Sequence, residues 1–150
     1  MSRQPSDPDY AAYISWLHYA NGSLQAGLSR QLTLLVVDAL SSPVDKRYTA
    51  KLAGQLQLFD DRLRDNKYLA GREVSAADAM TVFSLTTMRG FSPVDLSPYE
   101  NILRYLTDIA ARPAYKEAIR KGDHGMEPMI KPVERRFTQF ESLRERLERA

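Results

Sequence analysis

Apolar side chains recur along this chain at helical spacing, and no segment shows the period-two alternation of a strand. Leu52, Leu56, Phe59 and Leu63 are spaced four, three and four residues apart. This spacing predicts an amphipathic helix over about residues 45–65. Because the same periodicity returns in later segments, the chain is predicted to be all-α.

An earlier helix is predicted from Asp9 to near Ser41-Ser42-Pro43. Gly22 and Gly27 fall inside it, and each weakens a helix by about 1 kcal/mol relative to alanine. Such glycines indicate a kink or a close approach by another backbone or a ligand. Its apolar stripe consists of Tyr10, Tyr13, Ile14, Leu17 and Leu24.

A third helix is predicted to open at Ser75. The Ser75 hydroxyl can accept the N–H of Asp78, and the Asp78 carboxylate can reach back to the N–H of Ser75, which is a capping box. Val74 and Ala79 are expected to form the accompanying hydrophobic staple. The helix is predicted to end near Gly90. Its inward face is predicted to consist of Ala79, Val82, Phe83 and Thr86.

The remaining helices are shorter. Ser97 is predicted to cap a helix with Pro98 at its first position, and Arg112-Pro113 should end it. A further helix is predicted over Ala114–Lys121. The inward positions of the helix after Ser97 are Ile102, Leu106, Ile109 and Ala110.

Two regions are expected along the chain: residues 1–121 as one helical domain with a linker-like start at residues 1–8, and residues 122–150 as an extension. The extension comprises a flexible connector over 122–132 and a charged amphipathic helix over 134–150. The apolar stripe of that last helix is Phe137, Phe140, Leu143 and Leu147.

Composition narrows the function. The 150 residues carry a net charge of +2 with both signs interspersed, so no basic stripe for nucleic acid is evident. There is no cysteine, which excludes a thiol nucleophile or a disulfide framework. His18 and His124 are too few for a metal site. No membrane span or signal segment is evident, and a cytoplasmic location is expected.

Three segments together resemble one known family. Tyr68-Leu69-Ala70-Gly71 leads into Val74-Ser75-Ala76-Ala77-Asp78, which looks like the "Y-L-A-G … S-x-A-D" segment of the glutathione transferase helical domain. The run from Trp16 to Leu24 resembles that domain's first helix, especially in fungal members. Pro98–Ile102 followed by Ala111–Tyr115 resembles its "P-x-I/L … R-P-A" run. The resemblance covers about Tyr10 to Lys121.

The resemblance implies a glutathione transferase C-terminal-like bundle of about five helices plus a C-terminal helical extension. In the family a thioredoxin-like first domain holds most of the glutathione and activates its thiol. Met1 falls where the inter-domain linker would be, so that domain is expected to be absent here. Glutathione is then a co-substrate only if such a domain is supplied, either by a thioredoxin-like partner or by chain that precedes Met1. A homodimer is also possible within the family.

Two functions follow as hypotheses. One is a glutathione transferase-like protein that binds a hydrophobic, small aromatic molecule, in detoxification or fungal secondary metabolism. The other is a non-catalytic helical module for association or ligand binding. No catalytic residue and no metal ligand is predicted on this chain.

The resemblance also implies where a substrate would bind. The inner face of the first helix forms a wall of the family's pocket, and a Glu and a His of bacterial-type members align with Ser23 and Gln25. Neither can act as a strong base. The far side of the pocket is expected at the end of the capped helix, where Arg89 could attract an acidic ligand or complement the helix dipole. The candidates are Tyr19, Asn21, Ser23, Gln25, Met88, Arg89 and Phe91.

Other residues have a structural and a functional interpretation. Ser75 and Asp78 could contact glutathione at a helix N-terminus, but the capping role is favoured because both partners are local. Tyr13, Trp16 and Tyr19 could stack on an aromatic substrate, but aromatic residues at helical spacing are more often core.

Overall fold

Every regular element that the structure describes is helical. The structure is a computed structural model, and it describes residues 1–123, 126–135 and 137. The all-α prediction is confirmed. If α1, the π-helical turn and α2 are taken as one rod, the described residues form five helices. The elements are α1 (Tyr10–Tyr19), a π-helical turn (Ala20–Gln25), α2 (Ala26–Val36), α3 (Pro43–Asp65), α4 (Ala76–Leu85), a 3-10 turn (Thr87–Gly90), α5 (Glu100–Ala110) and α6 (Pro113–Gly122).

The first rod ends earlier than the sequence predicts. It stops at Val36 rather than near Ser41-Ser42-Pro43. Asp38 takes a left-handed conformation with φ of 54°, its N–H donates to Leu35 O, and the N–H of Ala39 donates to Leu34 O. This is a Schellman motif with aspartate in the position where glycine is usual.

The α3 prediction is confirmed. Ser42 caps its first turn by accepting the N–H of Asp45 at 3.1 Å, and Pro43 stands at the first helical position. The four apolar positions that predicted this helix are all buried, and α3 packs against α2 and α5.

The capping box at the start of α4 is present. The Asp78 carboxylate accepts the N–H of Ser75 at 2.7 Å, and both residues are fully buried. Upstream, the carbonyl of Met1 accepts the N–H of Ala76 at 3.0 Å. The residues before α1 are therefore fastened to the N-terminus of α4.

The inward face of α4 is not the one predicted. Val82 and Thr86 are buried, but Ala79 is exposed and Phe83 is 48% exposed. The prediction failed because polar Asp78, Thr81 and Ser84 lie on the buried side of α4 while apolar Phe83 lies on the outer side, so the apolar pattern does not select the inward face. The buried residues of α4 are Ala77, Asp78, Thr81, Val82, Ser84 and Leu85.

The start of α5 also corrects the sequence analysis. Ser97 does not cap it and Pro98 is not its first residue, because the helix begins at Glu100. Asp60 of α3 serves instead: its carboxylate accepts the N–H of Ile102 at 2.9 Å and the side-chain amide of Asn101 at 2.8 Å. The inward positions predicted for α5 are buried, apart from half-buried Ala110.

The segment after α6 is packed onto the bundle. Met129 is buried, and Leu96 donates its N–H to Pro132 O at 2.9 Å. The helix predicted to begin at Glu134 does not begin there, because Glu134, Arg135 and Phe137 are not helical. The rest of that predicted helix, and His124, lie outside the described residues. The domain boundary near residue 121 stays a prediction.

Candidate functional site

The π-helical turn contains three of the seven residues that the sequence analysis predicted to bind substrate. Residues 20–25 contain Asn21, Ser23 and Gln25. Asn21 is exposed, whereas Ser23 and Gln25 are half-buried. A π segment shifts the register of side chains and carbonyls, and such segments are frequent at functional sites. It separates α1 from α2 at this point of the rod.

Tyr19 and Ser23 are both joined to Gln55 of α3. The Tyr19 hydroxyl donates to the Gln55 carbonyl at 3.0 Å. The Gln55 side-chain amide donates to the Ser23 carbonyl at 3.2 Å. Burial raises the pKa of the Tyr19 hydroxyl above its ordinary value. Tyr19 therefore forms part of the wall between the first rod and α3.

Gln55 also explains one of the two glycines in the first rod. A Cβ on Gly27 would lie 2.6 Å from Gln55 Oε1 and 3.1 Å from Leu52 Cδ1. A side chain at this position would therefore have to displace the end of Gln55, which glycine leaves in place between α2 and α3. Gly22, in contrast, has no other atom within 4 Å of such a Cβ.

The aromatic side chains of α1 are packed into the bundle. The Trp16 ring meets the edge of Tyr19 at 5.2 Å and that of Phe59 at 5.3 Å. Phe59 in turn lies 6.2 Å from Tyr105. Tyr13 is buried in the same core. The arrangement is the packing that aromatic residues at helical spacing favour, and a stacking role toward substrate stays untested.

Arg89 is directed into the protein rather than toward a cleft. The residue is 1% exposed, and its guanidinium donates to the carbonyls of Leu85, Val94, Lys131 and Pro132. Burial lowers the pKa of Arg89, while the charges of Glu134 and Asp95 oppose that effect. Through these hydrogen bonds, Arg89 holds residues 131–132 against the end of α4. Its predicted role in substrate binding stays a prediction.

Met88 and Phe91 lie beside this junction. Met88 is buried in the core, and the half-buried Phe91 ring stands edge-on to Phe137 at 4.7 Å. Between them, the carbonyl of Gly90 accepts the N–H of Phe137 at 2.9 Å. A Cβ on Gly90 would overlap the Phe137 ring, so this close packing requires glycine.

The candidate residues form two groups, one at positions 19–25 and one at positions 88–91, and these lie on neighbouring elements. The hydroxyl of Ser92, next to Phe91, donates to Leu28 O at 3.1 Å. Leu28 is three residues after Gln25, a rise of about 4.5 Å along the rod. The structure thus places the 88–91 group against α2 just beyond the π-helical turn. The Tyr19 side chain faces α3 instead.

A groove that the sequence analysis missed opens between α4 and α6. We refer to it as the α4–α6 groove. Its volume is about 400 Å³, within the range of small-molecule and docking sites. Its apolar walls are contributed chiefly by Val82, Phe83, Ile109, Tyr115 and Ile119. The sequence signal for it was the pair Met80 and Phe83, apolar residues three positions apart on one side of α4.

One charged residue lies among the groove lining. Arg112, at the start of α6, donates from Nη1 to the Tyr68 hydroxyl at 3.2 Å and lies 5.8 Å from the centre of the Tyr68 ring. Beside Phe83, Met80 on the same outer surface of α4 is 41% exposed. The groove thus continues into an exposed apolar patch, which in soluble proteins marks a binding surface.

The described part of the chain contains neither a metal-binding cluster nor a membrane-spanning helix. Over residues 1–123, 126–135 and 137, no cluster of three or more acidic or histidine side chains is arranged to hold a metal ion. Within the same residues, no helix combines the length and apolar character needed to traverse a bilayer.

Known proteins resemble this chain over most of its length. A family model described as "Glutathione S-transferase, C-terminal domain" matches residues 32–113. Glutathione S-transferase 3 of Schizosaccharomyces pombe is 27% identical over 151 residues, covering 89% of this chain and 62% of the relative. A class-mu 26 kDa glutathione S-transferase of Fasciola hepatica is 29% identical over 111 residues, covering 74% and 48%. The chain thus spans between about half and three fifths of the length of these relatives.

Solved structures share the fold. A glutathione S-transferase from Actinobacillus pleuropneumoniae superposes with a TM-score of 0.71 at 21% identity, covering 96% of this chain and 61% of that one. A glutathione transferase from Burkholderia graminis, solved with two glutathione molecules bound per subunit, gives 0.66 at 22% identity, covering 81% and 54%. At these identities the likeness shows the fold alone.

Proposed function

We propose that this chain, which belongs to the glutathione S-transferase family by its match to that family's C-terminal domain, supplies the hydrophobic-substrate pocket of a glutathione transferase-like enzyme. The reaction is conjugation, or a related glutathione-dependent step, on a small aromatic molecule. We also propose that the enzyme acts in the cytoplasm, in detoxification or in fungal secondary metabolism.

The exposed apolar patch on α4 carries this proposal. Phe83 and Met80 stand on the outer surface of α4 beside the α4–α6 groove. An apolar surface of this kind is stabilised when a partner covers it. The chain covers 62% of the length of one relative and 48% of the other, so part of each relative has no counterpart in it. We propose that a thioredoxin-like domain, in a partner or joined to this chain, packs on this patch.

Glutathione is proposed to be held mainly by that thioredoxin-like domain. Ser75 and Asp78, the residues at the N-terminus of α4, are fully buried and bonded to each other. They have no exposed polar atom to offer an anionic ligand. The π-helical turn is more accessible, because Asn21 is exposed at its surface.

The helical side of the pocket positions the aromatic substrate instead of activating the thiol. Asn21, Ser23 and Gln25 can donate and accept hydrogen bonds but cannot act as strong bases. Half-buried Phe91 supplies apolar surface beside α2, and Met88 next to it is packed in the core. Such a wall favours reaction by excluding water and holding the electrophile near the sulfur.

The test joins this chain to the proposed thioredoxin-like domain. The segment of the fission-yeast relative outside its match is fused before Met1, and conjugation of glutathione to a chlorodinitrobenzene is measured. The fusion is expected to turn over well above the uncatalysed rate, and the chain alone is not. Phe83→Glu should lower the fusion's activity at least about tenfold, because it places a charge in the domain contact.

Leu58→Glu is the matched control. Leu58 is 52% exposed but lies on α3, away from the α4–α6 groove, so activity should stay near that of the parent fusion. A fusion that folds but gives no turnover would instead support the non-catalytic module. In that case an apolar fluorescent probe should still bind the chain, and Phe83→Glu should weaken its binding.

A further inference from the structure

A second cavity opens where α2 and α3 meet the loop that precedes α5. We refer to it as the α2–α3 pocket. Its volume is about 270 Å³, close to the lower end of the range for small-molecule sites. Among the described residues, it shares no lining residue with the α4–α6 groove and includes none of the seven predicted substrate-binding residues. It is therefore a separate site.

The floor of the α2–α3 pocket is apolar. Leu52 and Leu56 stand about one turn apart on α3, and both are buried in the core. Val94, in the loop before α5, packs against the same core and also lines the pocket. Its carbonyl accepts a hydrogen bond from Arg89 Nε at 3.2 Å. An apolar body that enters the pocket is removed from water on a surface that is already formed.

Tyr99 contributes an aromatic side chain to the pocket. The residue is buried, and its hydroxyl donates to the Ala53 carbonyl of α3 at 3.3 Å. Burial, and then the charges of Asp60 and Asp95, raise the pKa of Tyr99. Negative charge is thus close to this ring. Because the face of a tyrosine ring attracts cations, Tyr99 and the nearby carboxylates favour the same sign of ligand charge.

Asp95 is the charged residue in the pocket lining. Its carboxylate accepts the N–H of Ser97 at 2.7 Å, and hydrogen bonds from Ser97 lower the pKa of Asp95. The nearby positive charge of Arg89 is directed to four backbone carbonyls instead. Among the described lining residues there is no lysine or arginine.

The polar rim between α2 and α3 adds a second aspartate. The Thr49 hydroxyl lines the pocket and donates to Asp45 Oδ1 at 3.3 Å. The end of the Gln31 side chain lies 2.8 Å from the same hydroxyl oxygen. Negative charge therefore comes from two elements, from Asp45 on α3 and from Asp95 in the loop. A cleft lined by charges of one sign concentrates ions of the opposite sign.

We propose that the α2–α3 pocket binds a small primary amine with a compact apolar body. The body lies on Leu52, Leu56 and Val94, and the ammonium group lies between the Asp95 carboxylate and the Tyr99 ring. A carboxylate or phosphate in the same place would be repelled by the aspartates. The site does not depend on the proposed function, because it uses neither the α4–α6 groove nor the π-helical turn.

Two probes of opposite charge test the selection. Phenethylamine and 3-phenylpropionate have similar apolar bodies, and each is titrated into the full chain while amide NMR signals are followed. Phenethylamine should shift the signals of Leu56, Val94 and Tyr99 saturably, with a Kd of about 1 mM for a ligand of this size. Phenylpropionate should bind at least about tenfold more weakly. Equal affinities, or saturable shifts confined to the α4–α6 groove, would overturn the proposal.

A charge variant tests the role of Asp95. Asp95→Asn keeps the shape of the side chain and removes its charge, so the Kd for phenethylamine should rise about tenfold. Asp61→Asn is the matched control, because Asp61 is an exposed carboxylate of α3 outside the pocket lining. Its Kd should stay that of the parent. An unchanged Kd in Asp95→Asn would overturn the assignment of the ammonium position and with it the proposal.

A steric variant tests the place of binding. Ala53 is exposed and lines the pocket, so Ala53→Phe should fill it and abolish the phenethylamine shifts while the helical circular dichroism is retained. Ala50→Phe is the control, because Ala50 is an exposed alanine of α3 outside the lining. It should leave the Kd unchanged. Binding that persists in Ala53→Phe would overturn the proposal, since the ligand would then occupy another surface.

Discussion

Asp78 and Tyr105 are joined by a buried hydrogen bond across the bundle: the Tyr105 hydroxyl of α5 donates to Asp78 Oδ1 at 3.2 Å. The same carboxylate accepts the N–H of Leu69 at 3.0 Å and the N–H and hydroxyl of Ser75. One aspartate thus caps α4, closes the turn before it and fixes α5 against both. A buried carboxylate is stable only when it is bonded in this way.

The Tyr105 hydroxyl should give the fold a specific sensitivity to alkali. Burial, then the charge of Asp78 and the hydrogen bond to it, raise the pKa of Tyr105 well above its ordinary value of 10.0. The unfolded chain loses this proton above about pH 10 while the folded chain retains it. Stability must therefore fall as the pH rises beyond 10, by up to about 1.4 kcal/mol per pH unit.

Urea unfolding of Tyr105→Phe between neutral and alkaline pH measures this contribution. At neutral pH the variant should lose about 1–3 kcal/mol, because a hydrogen bond to a buried carboxylate is removed. Above pH 10 it should lose stability less steeply than the wild type. Parallel curves for the two proteins would refute the role of Tyr105, since the other tyrosines are common to both.

Asp60 should be more important for stability than its neighbour Asp61. Asp60→Ala removes the acceptor for the N–H of Ile102 and the amide of Asn101, and a loss of about 1–3 kcal/mol is expected. Asp61→Ala removes an exposed pair with Arg64 and an exposed hydrogen bond from the Gln57 side-chain amide, which together should cost less than about 1 kcal/mol. Chemical denaturation followed by circular dichroism compares the two, and equal losses would contradict the tertiary cap.

Gly27→Ala should destabilise the protein although it raises helix propensity. Its Cβ would displace Gln55 Oε1 and with it the Gln55 bond to Ser23 O, at an expected cost of about 1–3 kcal/mol. Gly54→Ala is the control. It lies in α3 with open space around its Cβ, and it should gain up to about 1 kcal/mol.

A double-mutant cycle locates the cause of the Gly27→Ala effect. In a Gln55→Ala background the clash partner is gone, so Gly27→Ala should cost clearly less than in the parent. Thermal unfolding of the four proteins supplies the cycle. If Gly27→Ala costs the same stability in both backgrounds, the clash is with the other near neighbour, Leu52.

Arg89 should decide whether the segment 126–135 stays docked. Arg89→Lys keeps the charge but loses the planar set of donors that reaches several carbonyls at once. Amide exchange should then accelerate at Leu96 and Phe137, whose N–H groups bond Pro132 O and Gly90 O. Arg120→Lys, in a surface pair with Glu117, should leave both amides protected. Protection that persists in Arg89→Lys would refute the clamp.

Local features could be predicted from the sequence when the residues that form them lie close together along the chain. The capping box of Ser75 and Asp78 spans three residues, and the apolar face of α3 repeats within each turn, so both could be read from neighbouring positions. Ser97 looked like a cap by the same local rule. It failed because the acceptor for the start of α5 comes from Asp60, 41 positions before Asn101.

The candidate site shows the same division. The sequence directed attention to the rod around Gly22 and Gly27, and the π-helical turn lies there. The sequence could not indicate that Arg89 bonds carbonyls 42 and 43 positions away. It also could not select which side of α4 faces the core, because both sides carry apolar residues and the polar Thr81 and Ser84 lie on the buried one.

By itself, the sequence determined the helical class, the α3 face and the start of α4, because these depend on contacts within one or two turns of a helix. The tertiary structure alone decided the cap on α5, the clamp on residues 131–132 and the exposure of Phe83. In each case the interacting groups lie far apart in the sequence. The packing of the helices, and not any local preference, brings them into contact.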